Sequence, residues 1–199
     1  MYKRQILNKY PVQLGHILLI TNEWKEQNGW IDIKDWEAIK EVNKDTTGLW
    51  FFNSGPLAGA SQPHRHIQLL RRDPSELSCP REKWILDFDN VNYKSQRFYK
   101  NIILKKFSKT LNKENIYEIY KDLSYKLGLG KPEIDKKPRY PYNLIFTNHW
   151  MLLIKRKTDN LYGISVNALG FAGYILVTEK SDINYLKKIG PEKILENFL

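Results

Sequence analysis

Short apolar runs and one helical repeat alternate along the first third of the chain. Residues 17–21 form an aliphatic, β-branched run that predicts a buried strand. After Asp32, apolar side chains recur at three-residue steps, which predicts a helix with one buried face. These side chains are Ile33, Trp36, Ile39 and Val42. Residues 49–53 predict a second strand, and residues 64–70 predict a third after a turn-rich stretch over residues 54–63.

The second half carries a longer helical repeat and a pair of apolar runs. Residues 100–139 are basic and are predicted to be helical, with Asn112 as a helix cap. The apolar face of that helix consists of Ile116, Ile119, Tyr120, Leu123 and Leu127. The runs at 142–147 and 150–155 are separated by two polar residues, which predicts two strands joined by a tight hairpin.

The C-terminal part adds one more apolar run and two short helices. Residues 170–177 are apolar, and a strand continuing through them would place Thr178 and Lys180 on one face. Residues 181–182 and Pro191 are typical helix starts. Strands separated by helices and hairpins predict an α+β fold, with a mainly antiparallel sheet and flanking helices.

A polar stretch near residues 71–80 interrupts the pattern of apolar runs. We expect it to separate two lobes that share one core, an N-terminal lobe over residues 1–78 and a C-terminal lobe over residues 79–199.

Composition and charge narrow the range of functions. The 199 residues include 32 Lys and Arg against 22 Asp and Glu, so the formal charge is +10 and an anionic partner is expected. The single cysteine, Cys79, excludes an internal disulfide and fits a reducing compartment. No run approaches ~18 consecutive apolar residues, and residues 1–8 lack the apolar segment of a secretory signal. We therefore expect a cytoplasmic protein without a membrane partner.

The segment from Asn53 to Gln68 concentrates polar groups that can carry chemistry. On a strand with a rise of ~3.3 Å per residue, His64, His66 and Gln68 share one face at spacings of ~6.6 Å. The upstream loop is rich in small residues, and such loops let backbone N–H groups approach a phosphate closely. These small residues are Gly55, Gly59, Ala60 and Ser61.

A histidine beside a phosphate-binding loop can act as a nucleophile towards phosphorus. The attacking ring nitrogen carries the lone pair only if an acceptor holds the proton on the other nitrogen. Gln68 cannot shuttle a proton, but its amide can donate to a phosphoryl oxygen as negative charge develops there. Such a site suits a leaving group that is already a stable anion, such as the polyphosphate end of a nucleotide.

Other interpretations of these residues remain open at this stage. His64 and His66 have metal-ligand spacing but need a third ligand, and the other two histidines, His16 and His149, lie in no motif. The pair could also be incidental on a half-exposed strand. Residues 100–139 hold 11 basic and 5 acidic residues and would permit nucleic-acid binding. No recognised nucleic-acid motif accompanies that charge, so nucleic acid is not the expected partner.

The histidine segment resembles the transferase branch of the histidine-triad (HIT-like) superfamily. The pattern Asn-Ser-Gly-Pro from Asn53, followed after four residues by Ser-x-x-His-x-His-x-Gln ending at Gln68, is similar to that of ATP adenylyltransferases, also called diadenosine tetraphosphate phosphorylases. Residues 7–21 resemble the early strand pair of that family, and residues 141–151 and 167–173 resemble its C-terminal lobe. By this resemblance, residues 1–78 form a histidine-triad-like catalytic lobe and residues 79–199 an adenylyltransferase-like lobe.

The resemblance implies a two-step transfer of AMP. His66 takes AMP from a dinucleoside polyphosphate and releases ATP, and inorganic phosphate then takes AMP from the histidine to give ADP. Gln68 stands where hydrolase relatives have a third histidine, and His64 shapes and orients the site. The implied partners are a dinucleoside polyphosphate, ATP, ADP and phosphate. No tightly bound cofactor and no metal ligand of the protein are implied, and any Mg²⁺ accompanies the nucleotide.

The resemblance also implies a set of substrate-binding positions across both lobes. They are Asn8, Lys9, Asn53, Gly59, Ala60, Ser61, Gln62, Asn167, Ala168, Leu169 and Tyr174. The chain departs from the family pattern in two places. It begins almost at the first matching strand, without the preceding segment and its phosphate-binding lysine, so we expect the N-terminal lobe to be short. It has Thr178 where the family tends to have lysine, and Lys180 is the candidate to compensate.

Two functions related to the transferase remain as alternatives. The first is a nucleotide-binding relative without turnover. The second is an enzyme similar to galactose-1-phosphate uridylyltransferase, which uses the same His-x-His-x-Gln pattern. The Asn-Ser-Gly-Pro stretch favours the adenylyl branch over the uridylyl branch.

Overall fold

One antiparallel sheet forms the centre of the molecule. The computed structural model describes residues 3–88, 96–107 and 113–199, and within these the sheet has seven strands in the order β1-β2-β4-β3-β6-β7-β5. Every neighbouring pair in it is antiparallel. The strands are β1 (Lys3–Leu7), β2 (His16–Thr21), β3 (Gly48–Asn53), β4 (His66–Arg71), β5 (Ile102–Lys106), β6 (Tyr142–Phe146) and β7 (Trp150–Lys155). A small separate hairpin joins β8 (Asn160–Leu161) to β9 (Ile164–Ser165).

Helices cover both faces of the sheet. They are α1 (Ile33–Val42), α2 (Glu82–Leu86), α3 (Gln96–Asn101), α4 (Lys113–Lys126), α5 (Ala168–Ala172), α6 (Ile183–Ile189) and α7 (Pro191–Asn197), with a 3₁₀ turn at Pro56–Ala58. One apolar layer packs α1 and α4 against the sheet, and the opposite layer packs α2, α5 and α7. Because side chains alternate along a strand, Trp50 and Phe52 enter the first layer while Leu49 and Phe51 enter the second.

Helix α1 is fixed at its start by a reciprocal cap and a buried ion pair. The Asp32 side chain accepts from the Asp35 N–H at 3.0 Å, and the Asp35 side chain accepts from the Asp32 N–H at 2.9 Å. Asp35 also pairs with Arg65 at 3.1 Å, with both side chains buried. The start of α1 is thereby tied to the segment that leads into β4.

The strand and helix predictions for the N-terminal half are confirmed, with one shift at β4. Regular pairing begins at His66, two residues after the predicted start, because the preceding segment pairs with an irregular stretch instead. The Arg65 N–H donates to the Lys25 carbonyl at 2.8 Å, and the Gln27 N–H donates to the Pro63 carbonyl at 2.8 Å. His64 therefore lies just before the strand and forms only an isolated bridge with Glu26.

The C-terminal half confirms the 142–155 hairpin and both terminal helices, and it corrects two predictions. Residues 102–106, predicted within a helical region, form edge strand β5 against β7. The predicted strand over 170–177 is wrong: Asn167 caps α5 through its side chain, and Gly173 ends the helix at φ 107°. Thr178 and Lys180 accordingly lie in a turn region after α5. The predicted cap Asn112 lies outside the described residues.

The two parts of the chain share one sheet and one core. Strands β1 to β4 come from the N-terminal part and β5 to β7 from the C-terminal part, and they meet where β3 pairs with β6. The predicted α+β fold, with a mainly antiparallel sheet and flanking helices, is confirmed. In the described ranges, no helix combines the length and apolar character needed to cross a membrane.

Candidate active site

A cavity of about 540 Å³ lies against the sheet at the ends of β2, β3 and β4. Eleven of the fourteen predicted site residues line it. They are Asn8, Lys9, Asn53, Gly59, Ser61, Gln62, His64, His66, Gln68, Asn167 and Leu169. No acidic side chain from the described part of the chain is among the lining residues, whereas Lys9 is. The cavity is therefore suited to an anionic ligand.

His66 has one ring nitrogen held and the other available. Its Nδ1 lies 2.9 Å from the carbonyl oxygen of His64. A carbonyl can only accept, so Nδ1 carries the proton and Nε2 carries the lone pair. The side chain is only 7% exposed, and this burial lowers the pKa of His66 below its ordinary value. The neutral ring is thus the favoured form, as nucleophilic attack by histidine requires.

His64 acts on His66 through its backbone and uses its own ring elsewhere. The His64 ring stacks on Trp24 with centroids 5.1 Å apart, and its Nε2 lies 2.9 Å from the Thr21 hydroxyl. Its ring still reaches the cavity wall, so the three residues that the sequence places on one face do line one cavity. The predicted role of His64 in orienting the site has a physical basis in the carbonyl bond to His66.

Gln68 follows His66 on β4 and faces the same cavity. It is 8% exposed, and its Oε1 lies 2.9 Å from Nε2 of His16 on the neighbouring strand β2. His16 is equally buried, and burial lowers its pKa below the ordinary value. Sequence reasoning missed His16, because only the pairing of β2 with β4 brings it beside the catalytic segment.

Asn53 ties the end of β3 to the C-terminal part of the chain. Its Oδ1 accepts from the Ala168 N–H at 2.9 Å and from the Asn143 side chain at 2.8 Å. Asn143 also contacts the buried Arg156, whose pKa burial lowers to about 9. Asn53 therefore positions the start of α5 beside the cavity.

The small-residue loop packs closely against the cap of α5. Gly55 and Gly59 have φ of 88° and 84°, a backbone conformation that favours glycine. A Cβ on Gly59 would lie 2.6 Å from the Asn167 Cβ, so only glycine permits this approach. The close packing places Gly59, Ser61 and Asn167 together on the cavity wall.

Three predicted binding residues lie outside this cavity. Ala60 lines a neighbouring cavity of about 370 Å³ on the other side of the loop, together with Trp24 and Lys137. Ala168 is fully buried and contributes its N–H to Asn53. The Tyr174 hydroxyl instead accepts a hydrogen bond from Arg72.

Gln27 is a second residue near the site that sequence reasoning missed. Its side chain is 2% exposed, accepts from the His66 N–H at 2.8 Å and donates to the Asn53 carbonyl at 2.8 Å. It therefore holds β3 and β4 together beside the histidine. Gln27 follows no sequence pattern, since it lies in an irregular polar stretch between β2 and α1.

Comparison with known protein families shows to which family the chain belongs. The N-terminal domain model of Ap4A phosphorylase matches residues 2–85, where Ap4A is diadenosine tetraphosphate. The C-terminal domain model of ATP adenylyltransferase matches residues 86–198, more than half of the chain. The chain belongs to the ATP adenylyltransferase family. The two adenylyltransferase matches meet at residues 85 and 86, and the predicted lobe boundary at 78 and 79 stays a prediction.

Two similar proteins come from the yeast Saccharomyces cerevisiae. Protein APA1 is 24% identical, and the match covers 89% of this chain and 65% of APA1. Diadenosine 5',5'''-P1,P4-tetraphosphate phosphorylase 2 is also 24% identical, over 91% of this chain and 64% of the yeast protein. The chain thus spans slightly less than two thirds of the length of these relatives.

Solved structures of yeast Ap4A phosphorylase Apa2 share the fold. The structure in complex with AMP has a TM-score of 0.72 at 20% identity, covering 99% of this chain and 72% of Apa2. The structure in complex with Ap4A has a TM-score of 0.68 at 18% identity, covering 100% and 72%. These likenesses show that the adenylyltransferase fold extends over the whole chain.

The histidines that line this cavity do not form a metal site with other ligands in the described part of the chain. Across residues 3–88, 96–107 and 113–199, no three or more His, Cys, Asp or Glu side chains group as metal ligands would. The Cys79 thiol is buried, and burial raises its pKa to about 11.

Proposed function

We propose that this protein is a nucleotidyltransferase that phosphorolyses Ap4A to ATP and ADP through an adenylyl group on His66. The observation that carries the proposal is the hydrogen bond from His66 Nδ1 to the His64 carbonyl. It leaves the lone pair on Nε2, in a cavity that no carboxylate from the described residues lines. Family membership and the names of the yeast relatives support Ap4A as the substrate.

In the first step, the Nε2 lone pair of His66 forms a bond to the α-phosphorus of Ap4A. The bond from that phosphorus to the bridging oxygen breaks, and its electron pair leaves with ATP. The ring then carries positive charge, and its Nδ1–H continues to donate to the His64 carbonyl. No proton has to move in this step, because the departing polyphosphate is already a stable anion.

In the second step, inorganic phosphate attacks the adenylyl group on His66. An oxygen of phosphate forms the new bond to phosphorus, and the N–P electron pair returns to Nε2 as ADP departs. Phosphate is already an anion and needs no general base, which agrees with a glutamine at position 68. The Gln68 amide would donate to a non-bridging oxygen as negative charge develops in each transition state.

The remaining predicted residues would bind the rest of the substrate. Lys9 brings positive charge to the cavity. In the small-residue loop the N–H groups of Gly59 and Ala60 donate to the Pro56 and Gly55 carbonyls at 2.7 and 3.0 Å, so Ser61 and Gln62 are the loop residues that would donate backbone N–H groups to phosphates. Mg²⁺ would arrive with the polyphosphate, whose oxygens are the ligands this ion prefers. We further propose that the enzyme acts in the cytoplasm, as its single cysteine first indicated.

Turnover tests the proposal directly. We expect the full chain, incubated with Ap4A and phosphate, to release ATP and ADP in equal amounts, as resolved by ion-exchange chromatography. His66→Ala should abolish this turnover while nucleotide affinity stays largely intact. His149→Ala is the matched control, because that histidine is exposed in the β6–β7 turn and does not line the cavity.

The covalent intermediate gives a second test. Without phosphate, the intact mass of the wild-type protein should increase by one adenylyl group after addition of Ap4A. Phosphate should then remove that group and produce ADP. An adenylyl group on the His66→Ala protein, or wild-type binding of Ap4A without release of ATP, would refute the proposed mechanism.

A further inference from the structure

The two ends of the Gln68 carboxamide have nearly the same shape and opposite hydrogen-bonding character. Only the NH₂ end can donate to a phosphoryl oxygen, whereas the oxygen end would repel it. Which end faces the cavity is therefore decided by the group that holds the other end. In this structure that group is His16, whose Nε2 lies 2.9 Å from the Gln68 Oε1.

The protonation of the His16 ring follows from its remaining partners. The Val12 backbone N–H points at Nδ1 at 3.4 Å, and a backbone N–H can only donate. The Asn8 side-chain nitrogen lies 3.3 Å from Nδ1 and 3.4 Å from Nε2, so the Val12 N–H and the Gln68 oxygen decide the tautomer; the Asn8 oxygen accepts from the Tyr10 N–H at 2.9 Å. Nδ1 is thus an acceptor, and the single proton of the neutral ring is on Nε2.

These contacts form a directed chain of hydrogen bonds that ends at Gln68. The Tyr10 N–H orients the Asn8 amide, which donates to His16 Nδ1, and His16 Nε2–H donates to the Gln68 oxygen. His16 and Gln68 are 3% and 8% exposed, so little water competes for the last bond. The Gln68 NH₂ group is the end left for the cavity that Gln68 lines.

We propose that His16 is a positioning residue that, through its Nε2–H tautomer, holds the Gln68 carboxamide with its NH₂ group towards the phosphoryl group at His66. This inference rests on the proposed function. It also gives Asn8 a role different from the predicted substrate contact, because its amide is used to fix His16. A charged His16 would set a second N–H against the Val12 N–H, so the arrangement needs the neutral ring.

Two substitutions separate positioning from packing. The His16 ring packs against Phe51 with centroids 5.7 Å apart, so His16→Phe keeps an aromatic ring there but removes the donor to Gln68. His16→Gln places an amide NH₂ near the position of Nε2 and so restores a donor. A role in packing alone predicts that Phe is the better replacement, whereas positioning predicts that Gln is.

We expect His16→Phe to lower kcat for Ap4A phosphorolysis about tenfold, less than the ~10²–10³ lost when such a donor is deleted outright. KM for Ap4A should change less than about twofold, since the donor acts mainly on charge that develops in the transition state. His16→Gln should recover most of kcat. In a Gln68→Ala background, His16→Phe should cost nothing further, because the group that it positions is absent.

Several outcomes would overturn this inference. They are an unchanged kcat in a folded His16→Phe protein, a His16→Gln protein as slow as His16→Phe, and additive losses in the double variant. Ring ¹⁵N spectra of the full chain give a readout independent of turnover, and a proton on His16 Nδ1 instead of Nε2 would also overturn it. Wild-type protein that forms no ATP and ADP would overturn the proposed function itself. This result is distinct from wild-type turnover that substitution of His16 leaves unchanged, which would overturn only the role of His16.

Discussion

Gln27 serves as a substitute for backbone pairing at the point where two central strands separate. The register of β3 with β4 ends at Phe51 and Gln68. Beyond it, the Gln27 amide donates to the Asn53 carbonyl at 2.8 Å and to the His66 carbonyl at 3.1 Å, and it accepts from the His66 N–H at 2.8 Å. One side chain thus bridges both strands at His66.

Gln27→Glu tests this role because it preserves the shape of the side chain while it replaces the donating NH₂ group by a charged carboxylate oxygen at a position only 2% exposed. The carboxylate still accepts from the His66 N–H, but both donated bonds are lost. A buried bond lost in this way costs about 1–3 kcal/mol, so the two together cost about 2–6 kcal/mol. The Asn53 carbonyl also accepts from the Gly55 N–H at 3.0 Å. The loss of its bond from Gln27 should therefore cost an amount at the low end of the range for one bond. We therefore expect a loss of at least about 3 kcal/mol in the free energy of unfolding, because burial of the carboxylate charge adds to the loss of the two bonds.

Urea unfolding followed by tryptophan fluorescence measures this loss. With an m-value of about 1–3 kcal/mol/M, the midpoint should fall by about 1–3 M relative to wild type. The difference in midpoint between the variant and wild type should narrow in acid, because a protonated glutamic acid regains one donor. The kcat of the variant should also fall, because the His66 backbone is held less tightly. Gln5→Glu on the exposed strand β1 is the matched control. A Gln27→Glu protein within about 0.5 kcal/mol of wild type would refute the bridging role.

Three further predictions follow from the same site. Burial lowers the pKa of His66, so the neutral ring should persist in mild acid. The acid limb of the pH profile of kcat/KM should therefore have its midpoint below ~6.5. A midpoint above that value would contradict His66 as the nucleophile. Gln68→His should raise hydrolysis relative to phosphorolysis, seen as more AMP and less ADP at fixed phosphate; an unchanged ratio would show that Gln68 does not discriminate. Arg65→Met removes the cation that pairs with the buried Asp35 carboxylate. We expect it to lower the free energy of unfolding, measured with urea, by about 3–5 kcal/mol, and a loss below about 1 kcal/mol would contradict this.

Local patterns in the sequence were enough to predict the elements around the site. The three-residue repeat after Asp32 corresponds to α1, and the apolar runs correspond to β2, β3, β6 and β7. Alternation along one strand also placed His66 and Gln68 on one cavity wall. These predictions succeeded because each depends on residues close together in the chain.

The parts that sequence reasoning missed depend on contacts between distant segments. His16 meets Gln68 only because β2 pairs with β4, and Gln27 meets His66 only because an irregular stretch folds over the end of that strand. Helix α5 was missed because its apolar residues also suit a buried strand, and the Asn167 cap and Gly173 decide between the two. Edge strand β5 lies in a basic region whose charge concealed its apolar run.

The choice of acceptor for His66 Nδ1 links the geometry to the direction of the chemistry. A carboxylate at that place would raise the pKa of the ring and stabilise the cationic, adenylylated histidine. The neutral His64 carbonyl fixes the same tautomer and raises the pKa of the ring less than a charged carboxylate would, and no acidic residue lines the described cavity to replace it. In the proposed mechanism, the N–P bond of the adenylylated histidine would therefore stay reactive enough for phosphate, a weak nucleophile, to break it without a general base. A site that relies on amide and carbonyl groups in this way favours transfer between anions over hydrolysis, which needs a base to activate water.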